Sequence, residues 1–129
     1  MKKNMITFIA ALIALLLTFS ACSTAGVKLD EQHNGQSVEV NSGDRITVTL
    51  EGNPTTGYSW ELGELDSAVV ELVGEPDYKT DTKMFGSGGT YTFTLKAVAP
   101  GATTVKLIYH RSWEDAEPEK VFEVTLNVK

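Results

Sequence analysis

Cysteine is nearly missing from this sequence: Cys22 is the only one in 129 residues. No internal disulfide can therefore form, and a cysteine-rich scaffold or a cysteine-ligated zinc site is excluded. Histidine is scarce too, limited to His33 and His110, and no His-x-x-x-His spacing exists. Basic charge is in deficit, with 11 Lys and Arg against 17 Asp and Glu. A long hydrophobic run is also wanting. The one apolar stretch, Ile6 to Phe19, falls short of the roughly 20 residues needed to span a bilayer. From Ser23 onward no segment carries a convincing helical period.

The apolar stretch has another use. Lys2 and Lys3 precede it, and the small residues Ser20 and Ala21 lead out of it to Cys22. A charged start, an apolar middle and a small-residue exit form an export signal. The placement of Cys22 resembles that of bacterial lipoproteins, in which this cysteine becomes the first mature residue and carries a lipid. Phe19 stands where leucine is usual three residues before it. The expected organisation is a lipoprotein signal peptide over 1–21, a lipidated cysteine with a short tether over 22–26, and one domain over 27–129. Such a protein is exported and anchored to the cell envelope through its lipid, without a spanning helix.

From Cys22 onward all 17 acids remain and Lys2 and Lys3 are gone, leaving nine basic residues and a net charge of −8. That charge disfavours nucleic acid and anionic headgroups as partners of the domain as a whole. A domain of about 100 residues buries enough surface to fold without disulfides, and a monomer is expected.

Period-two alternation dominates the domain. Val38 and Val40 alternate with polar neighbours, as do Ile46, Val48 and Leu50; Tyr91, Phe93, Leu95 and Ala97; Val105, Leu107 and Tyr109; and Phe122, Val124, Leu126 and Val128. Further strands are expected at Tyr58–Leu62 and Ala68–Val73, and Tyr78–Met84 is ambiguous. Turn signals separate them at Asn34-Gly35, Ser42-Gly43-Asp44 and Ala99-Pro100-Gly101. One apolar and one polar face per strand imply antiparallel sheets packed on a single side. The expected fold is all-β, an immunoglobulin-like antiparallel sandwich of seven to eight strands.

Three loops break the pattern. Asn53-Pro54-Thr55-Thr56-Gly57 is a short uncharged turn, stiffened by Pro54 and allowed its dihedrals by Gly57. From spacing alone it reads first as a plain hairpin turn, ahead of a binding loop. Gly86-Ser87-Gly88-Gly89 is nearly bare backbone, open to close approach by another chain or serving simply as a connector. A phosphate cradle is disfavoured there, because no Lys-Ser/Thr follows and no helix begins. Arg111-Ser112-Trp113-Glu114 sets an aromatic beside a cation at a strand end, and both residue types recur as interface hot spots. Successive antiparallel strands reverse direction, so loops two strands apart share a pole. By that count the second and third loops are neighbours. The first joins them if Tyr78–Met84 adds no extra crossing.

Taken in order, these loops resemble the chagasin family of cysteine protease inhibitors, whose motifs are Asn-Pro-Thr-Thr-Gly-aromatic, Gly-x-Gly-Gly and Arg-Pro-Trp-Glu. The first two match fully, through Tyr58 and Gly89. The third departs at Ser112, where proline is usual, and so loses a φ constraint. The resemblance implies an immunoglobulin-like inhibitor of papain-like proteases that needs no cofactor. In it Thr55 and Thr56 sit over the nucleophilic cysteine and the glycine loop runs along the non-primed cleft. Arg111 and Trp113 reach the primed side. The implied protease-binding residues are Asn53, Pro54, Thr55, Thr56, Gly57, Tyr58, Gly86, Ser87, Gly88, Gly89, Arg111 and Trp113. Two other readings are a non-inhibitory immunoglobulin-like surface module that binds a protein or polysaccharide, and a hydrolase built on Thr56 and His110.

Overall fold

The computed structural model describes residues 26–84 and 86–129. The export segment, Cys22 and Phe85 lie outside the described residues. Nine strands form among the described residues: β1 (Gly26–Leu29), β2 (Ser37–Val40), β3 (Arg45–Gly52), β4 (Ser59–Glu64), β5 (Val70–Leu72), β6 (Asp77–Thr80), β7 (Gly89–Ala97), β8 (Gly101–His110) and β9 (Lys120–Val128). They build two sheets, one ordered β1-β3-β7 with β5 and β6 both on the far side of β7, the other ordered β2-β9-β8-β4.

Alternation decides which side of each sheet turns inward. Ile46, Val48 and Leu50 of β3 and Phe93 and Leu95 of β7 face Val105 and Leu107 of β8 and Phe122, Val124 and Leu126 of β9. All ten are essentially removed from solvent. Burial of this kind contributes about 1.5–3 kcal/mol per large side chain before entropy is set against it. Shortening one by a methylene, as in Ile46→Val, is expected to lower stability by about 1 kcal/mol. Urea unfolding would read this as a lower midpoint with an unchanged slope.

The sandwich departs from the expected antiparallel pattern at two edges. β1 runs parallel to β3, and β2 parallel to β9. The reason is the path of the chain. β1 climbs one sheet, a single 3-10 turn over Glu31–His33 carries the chain across, and β2 descends the other. Each four-residue edge strand alternates identically whichever way its partner runs, so periodicity is blind to the direction.

The ambiguous stretch resolves into β6, making three strands rather than two between the first and second loops. Yet the loops still meet. β5 pairs with Leu95–Ala97 and β6 with Gly89–Thr92, both antiparallel to the same edge of β7. The amide of Val73 donates to the carbonyl of Thr94 between them. β5 and β6 are thus one strand interrupted by a bulge, in which residues 73–76 oppose only Phe93 and Thr94. Gly74, at φ 68°, and Pro76 lie inside that interruption.

Tyr91 sits at the rim end of the core, with its ring tilted against Tyr78 at a centroid separation of 4.8 Å. Burial pushes its phenol pKa above the usual tyrosine value, and Tyr109 and Tyr78 add to the effect. The folded state therefore holds this proton more tightly than the unfolded chain does. Its contribution is intact below the unfolded phenol pKa of about 10 and is lost as pH rises through the folded value. Melting temperatures measured across pH 8–12 should fall more steeply above pH 10 for the wild type than for Tyr91→Phe.

Candidate functional site

The β3–β4 connection is not a plain hairpin, because β3 and β4 belong to different sheets. It bridges the open end of the sandwich as one 3-10 turn, Pro54–Thr56. The local sequence dictates this turn. Asn53 caps it through its side chain, Pro54 occupies the first helical position, and Gly57 closes it at φ 87°, where a side chain would be strained.

Asn53 is the centre of the rim. Its Oδ1 accepts from the Thr55 amide at 3.1 Å and from the Thr55 hydroxyl at 2.6 Å. Its Nδ2 donates to the Gly86 carbonyl at 3.0 Å, joining the first loop to the second. Its amide donates to the Tyr109 hydroxyl at 2.9 Å, joining the turn to β8. The Thr56 hydroxyl donates to the Asn53 carbonyl at 2.6 Å. Both threonine hydroxyls are therefore committed to the turn itself. The exposed tip offers neither a charge nor a free hydroxyl proton.

The second loop arrives at this turn on the opening of β7. Gly88 and Gly89 are glycine for an internal reason as well as for access. A Cβ on Gly88 would lie 3.3 Å from the Gly52 carbonyl, and one on Gly89 would run into the Lys79 carbonyl and the Tyr78 hydroxyl. Gly86 takes φ 82°. The Ser87 hydroxyl donates to the Met84 carbonyl at 2.8 Å, and Met84 is 77% exposed beside it.

The third loop closes the arrangement. The Arg111 Nε donates to the Thr56 carbonyl at 3.1 Å, while Nη1 pairs with Glu114 at 3.0 Å. The same guanidinium lies 4.5 Å above the Tyr58 ring, which stacks on Tyr109 at 5.3 Å. Trp113 is 70% exposed, so it is not a core residue. Its ring edge rests on Gly57, where a Cβ would come within 2.7 Å of Cη2. Glycine at 57 thus serves both the left-handed turn and the seat of the indole.

All three loops expected from the sequence are brought to one rim. The fold also gives roles to two residues outside the expected contact set. Tyr109 reads as a core residue yet anchors Asn53, and Glu114 buttresses Arg111 across the turn closed by the Glu114 amide and the Arg111 carbonyl. The hydrolase arrangement does not form. His110 pairs with Glu61 at 2.9 Å, and the Thr56 hydroxyl is held by Asn53, so neither is aimed at the other. Among the described residues no group of three or more His, Cys, Asp or Glu could hold a metal ion.

The sequence and the fold both have counterparts among known proteins. The family model described as chagasin family peptidase inhibitor I42 matches residues 39–128, which include every loop just described. The chain belongs to the chagasin family. Chagasin itself, from Trypanosoma cruzi, is 34% identical over 90 residues, covering 67% of this chain and 82% of its own length. Amoebiasin-1 of Entamoeba histolytica is 29% identical over 105 residues, covering 80% of this chain and all of its own length. In three dimensions the chain is similar to the cysteine protease inhibitor EhICP2 of Entamoeba histolytica. There the TM-score is 0.69 at 27% identity, covering 81% of this chain and 95% of that one.

Within this chagasin-family chain, Asn53 is the test of loop coupling. Asn53→Ala removes the cap and the link to Gly86 together. An N-cap loss costs about 1 kcal/mol of stability. Inhibition is expected to weaken by a further 1–2 kcal/mol, about 5- to 30-fold, as loops ordered in the free protein must be ordered on binding. Inhibition constants and melting curves of the same variant separate the two effects.

Proposed function

We propose that this protein is a reversible inhibitor of papain-like cysteine proteases, and that it acts by occupying the active-site cleft with the three-loop rim. One observation carries the reading: the rim is already assembled in the free protein, with Asn53 binding the first loop to the second and Arg111 binding the third to the first. A cleft made to hold extended peptide accepts glycine backbone and a small stiff turn, and a preassembled rim is spared much of the ordering cost of binding.

The Thr55-Thr56 tip is assigned to the centre of the cleft. It is uncharged and can lie against a thiolate–imidazolium pair without a like-charge penalty. Its peptide bonds are held in a 3-10 turn rather than extended, away from the alignment a nucleophile needs. Occupancy without cleavage is then sufficient. The glycine loop is assigned to one side of the cleft and Arg111 with Trp113 to the other. Ser112 in place of proline loses a φ constraint, and the Arg111–Glu114 pair spans the same turn in its stead.

Export and attachment of a lipid at Cys22 belong to the same proposal, supported by the order of Lys2, Lys3, the apolar run and Ser20-Ala21-Cys22. Titrating papain with the chain from Ser23 onward tests the inhibitory reading. It predicts a 1:1 end point, competitive with substrate and reversed on dilution. Undiminished papain activity at stoichiometric excess would instead favour a non-inhibitory surface module.

A further inference from the structure

The two poles of the sandwich differ in charge, and the chain enters at only one of them. β3 and β7 span the molecule from the Arg45–Lys96 row at one end to the Gly52–Gly89 row beside the rim. Seven residue steps of β7 separate those rows, roughly 23 Å. β1 runs parallel to β3 with Gly26 opposite Arg45, so the chain enters at the pole remote from the rim. Cys22 is four residue steps before Gly26, a reach of at most about 14 Å. A lipid on Cys22 therefore holds the remote pole close to the bilayer.

That pole is suited to the contact. Arg45 and Lys96 are cross-strand partners, and both are exposed on the outer face because their neighbours Ile46 and Leu95 point into the core. Lys28 shares this face on β1, beside Thr47. None of the three makes an ion pair among the described residues. The acids at this pole do not pair with the three cations: Glu71 is the cross-strand neighbour of Lys96 without an ion pair, Asp66 is exposed beside Thr103 of β8, Asp44 is buried in its own turn, and Glu39 is engaged by Lys129. The rim end carries the opposite bias, with Glu114, Asp115, Glu117 and Glu119 all exposed in the third loop.

We propose that the remote pole, at the corner of the outer face that carries Lys28, Arg45 and Lys96, is a membrane-docking surface, which rests on anionic lipid headgroups and turns the three-loop rim into the aqueous phase. The inference rests on the Cys22 anchor proposed above. Each basic side chain near an anionic surface contributes attraction, which dies away within a Debye length of about 8 Å. Docked this way, the cations lie inside that length and the acids of the third loop lie well beyond it. The inverted orientation reverses both terms. The chain-wide charge of −8 repels an anionic surface, so the sign asymmetry between poles selects the orientation. A rim facing away from the bilayer takes proteases that reach it from solution.

The test uses the full chain, processed in a bacterium and reconstituted into vesicles of phosphatidylglycerol and phosphatidylcholine. An acylated Cys22 leaves no free thiol, so Ser42→Cys at the remote pole and Asp115→Cys at the rim each accept a single fluorophore. With a headgroup-level quencher, the label at 42 should be strongly quenched and the label at 115 should not. In vesicles of phosphatidylcholine alone, or with Arg45→Glu and Lys96→Glu together, the preference for 42 should shrink several-fold, to what the tether alone imposes. Equal quenching at both positions, stronger quenching at 115, or indifference to the charge reversal would overturn the proposal. Protein recovered without an acyl chain would overturn it through the anchor, whereas failure of the soluble chain to inhibit papain would strike the inhibitory reading and leave the docking result standing.

Discussion

Replacing Thr55 and Thr56 together by glutamate should weaken inhibition of papain by about 3 kcal/mol or more, over a hundredfold in the inhibition constant, while the melting temperature barely moves. The tip is exposed in the free protein, and its side chains donate only within their own turn. Loss of those local bonds falls within the range of surface substitutions, under about 1 kcal/mol. In the proposed complex the same positions lie at the desolvated centre of the cleft. Two carboxylates there lose their water without gaining a partner and crowd the thiolate, and removal of charge from water is the costly step. Inhibition constants and calorimetric melts of the double variant check both halves. A parallel fall in stability would make the turn a structural element, and unchanged inhibition would take it out of the cleft.

The second large effect belongs to Trp113. Trp113→Ala should cost about 2–3 kcal/mol of binding, the range of an interface anchor, with stability within about 0.5 kcal/mol of the wild type. Its indole is 70% exposed in the free protein, so truncation leaves no cavity. Yet its edge is seated on Gly57, so the indole is held in a defined position. The loss should appear chiefly in the dissociation rate, as most interface mutations do. Gly57 gives the converse test of the seat. A Cβ there meets both the left-handed φ of 87° and the indole 2.7 Å away, so Gly57→Ala should weaken inhibition by displacing Trp113 while leaving that side chain intact.

Much of this was legible from alternation and motif. The strands that bury one clean face, β3, β7, β8 and β9, are all marked by their period, because a two-residue repeat with one side against a core leaves little choice of face. What periodicity lacks is direction and partner. β1 and β2 are four residues each and pair in parallel at the edges, an arrangement with the same alternation as the antiparallel one. β5 and β6 are separated by Gly74 and Pro76 in sequence but lie on one edge of β7. Their union explains why all three loops share a rim although three strands intervene between the first two.

Within the site, residue types announced the loops but not the bonds between them. Asn53 and Arg111 stand out in their motifs, yet the bonds from Asn53 to Gly86 and from Arg111 to Thr56 cross 33 and 55 residues of sequence. Such links join stretches that only the closed sandwich brings together. Tyr109 is the clearest loss. Its place in the strand period marks it as core, and only the fold shows that its hydroxyl reaches the Asn53 amide. Gly88 and Gly89 are open backbone by sequence, but Gly89 is also required by the Lys79 carbonyl and Tyr78 hydroxyl behind it, and Gly88 is crowded by the Gly52 carbonyl.

The most direct test of the wedge is amide hydrogen exchange of the chain free and bound to catalytically inactivated papain. Protection should appear together in Asn53–Tyr58, in residues 86–89 and in Arg111–Glu114, with no change at Asn41–Asp44 or Ala99–Gly101 on the remote pole. Protection confined to one loop, or centred on the remote turns, would contradict a single preassembled rim filling the cleft.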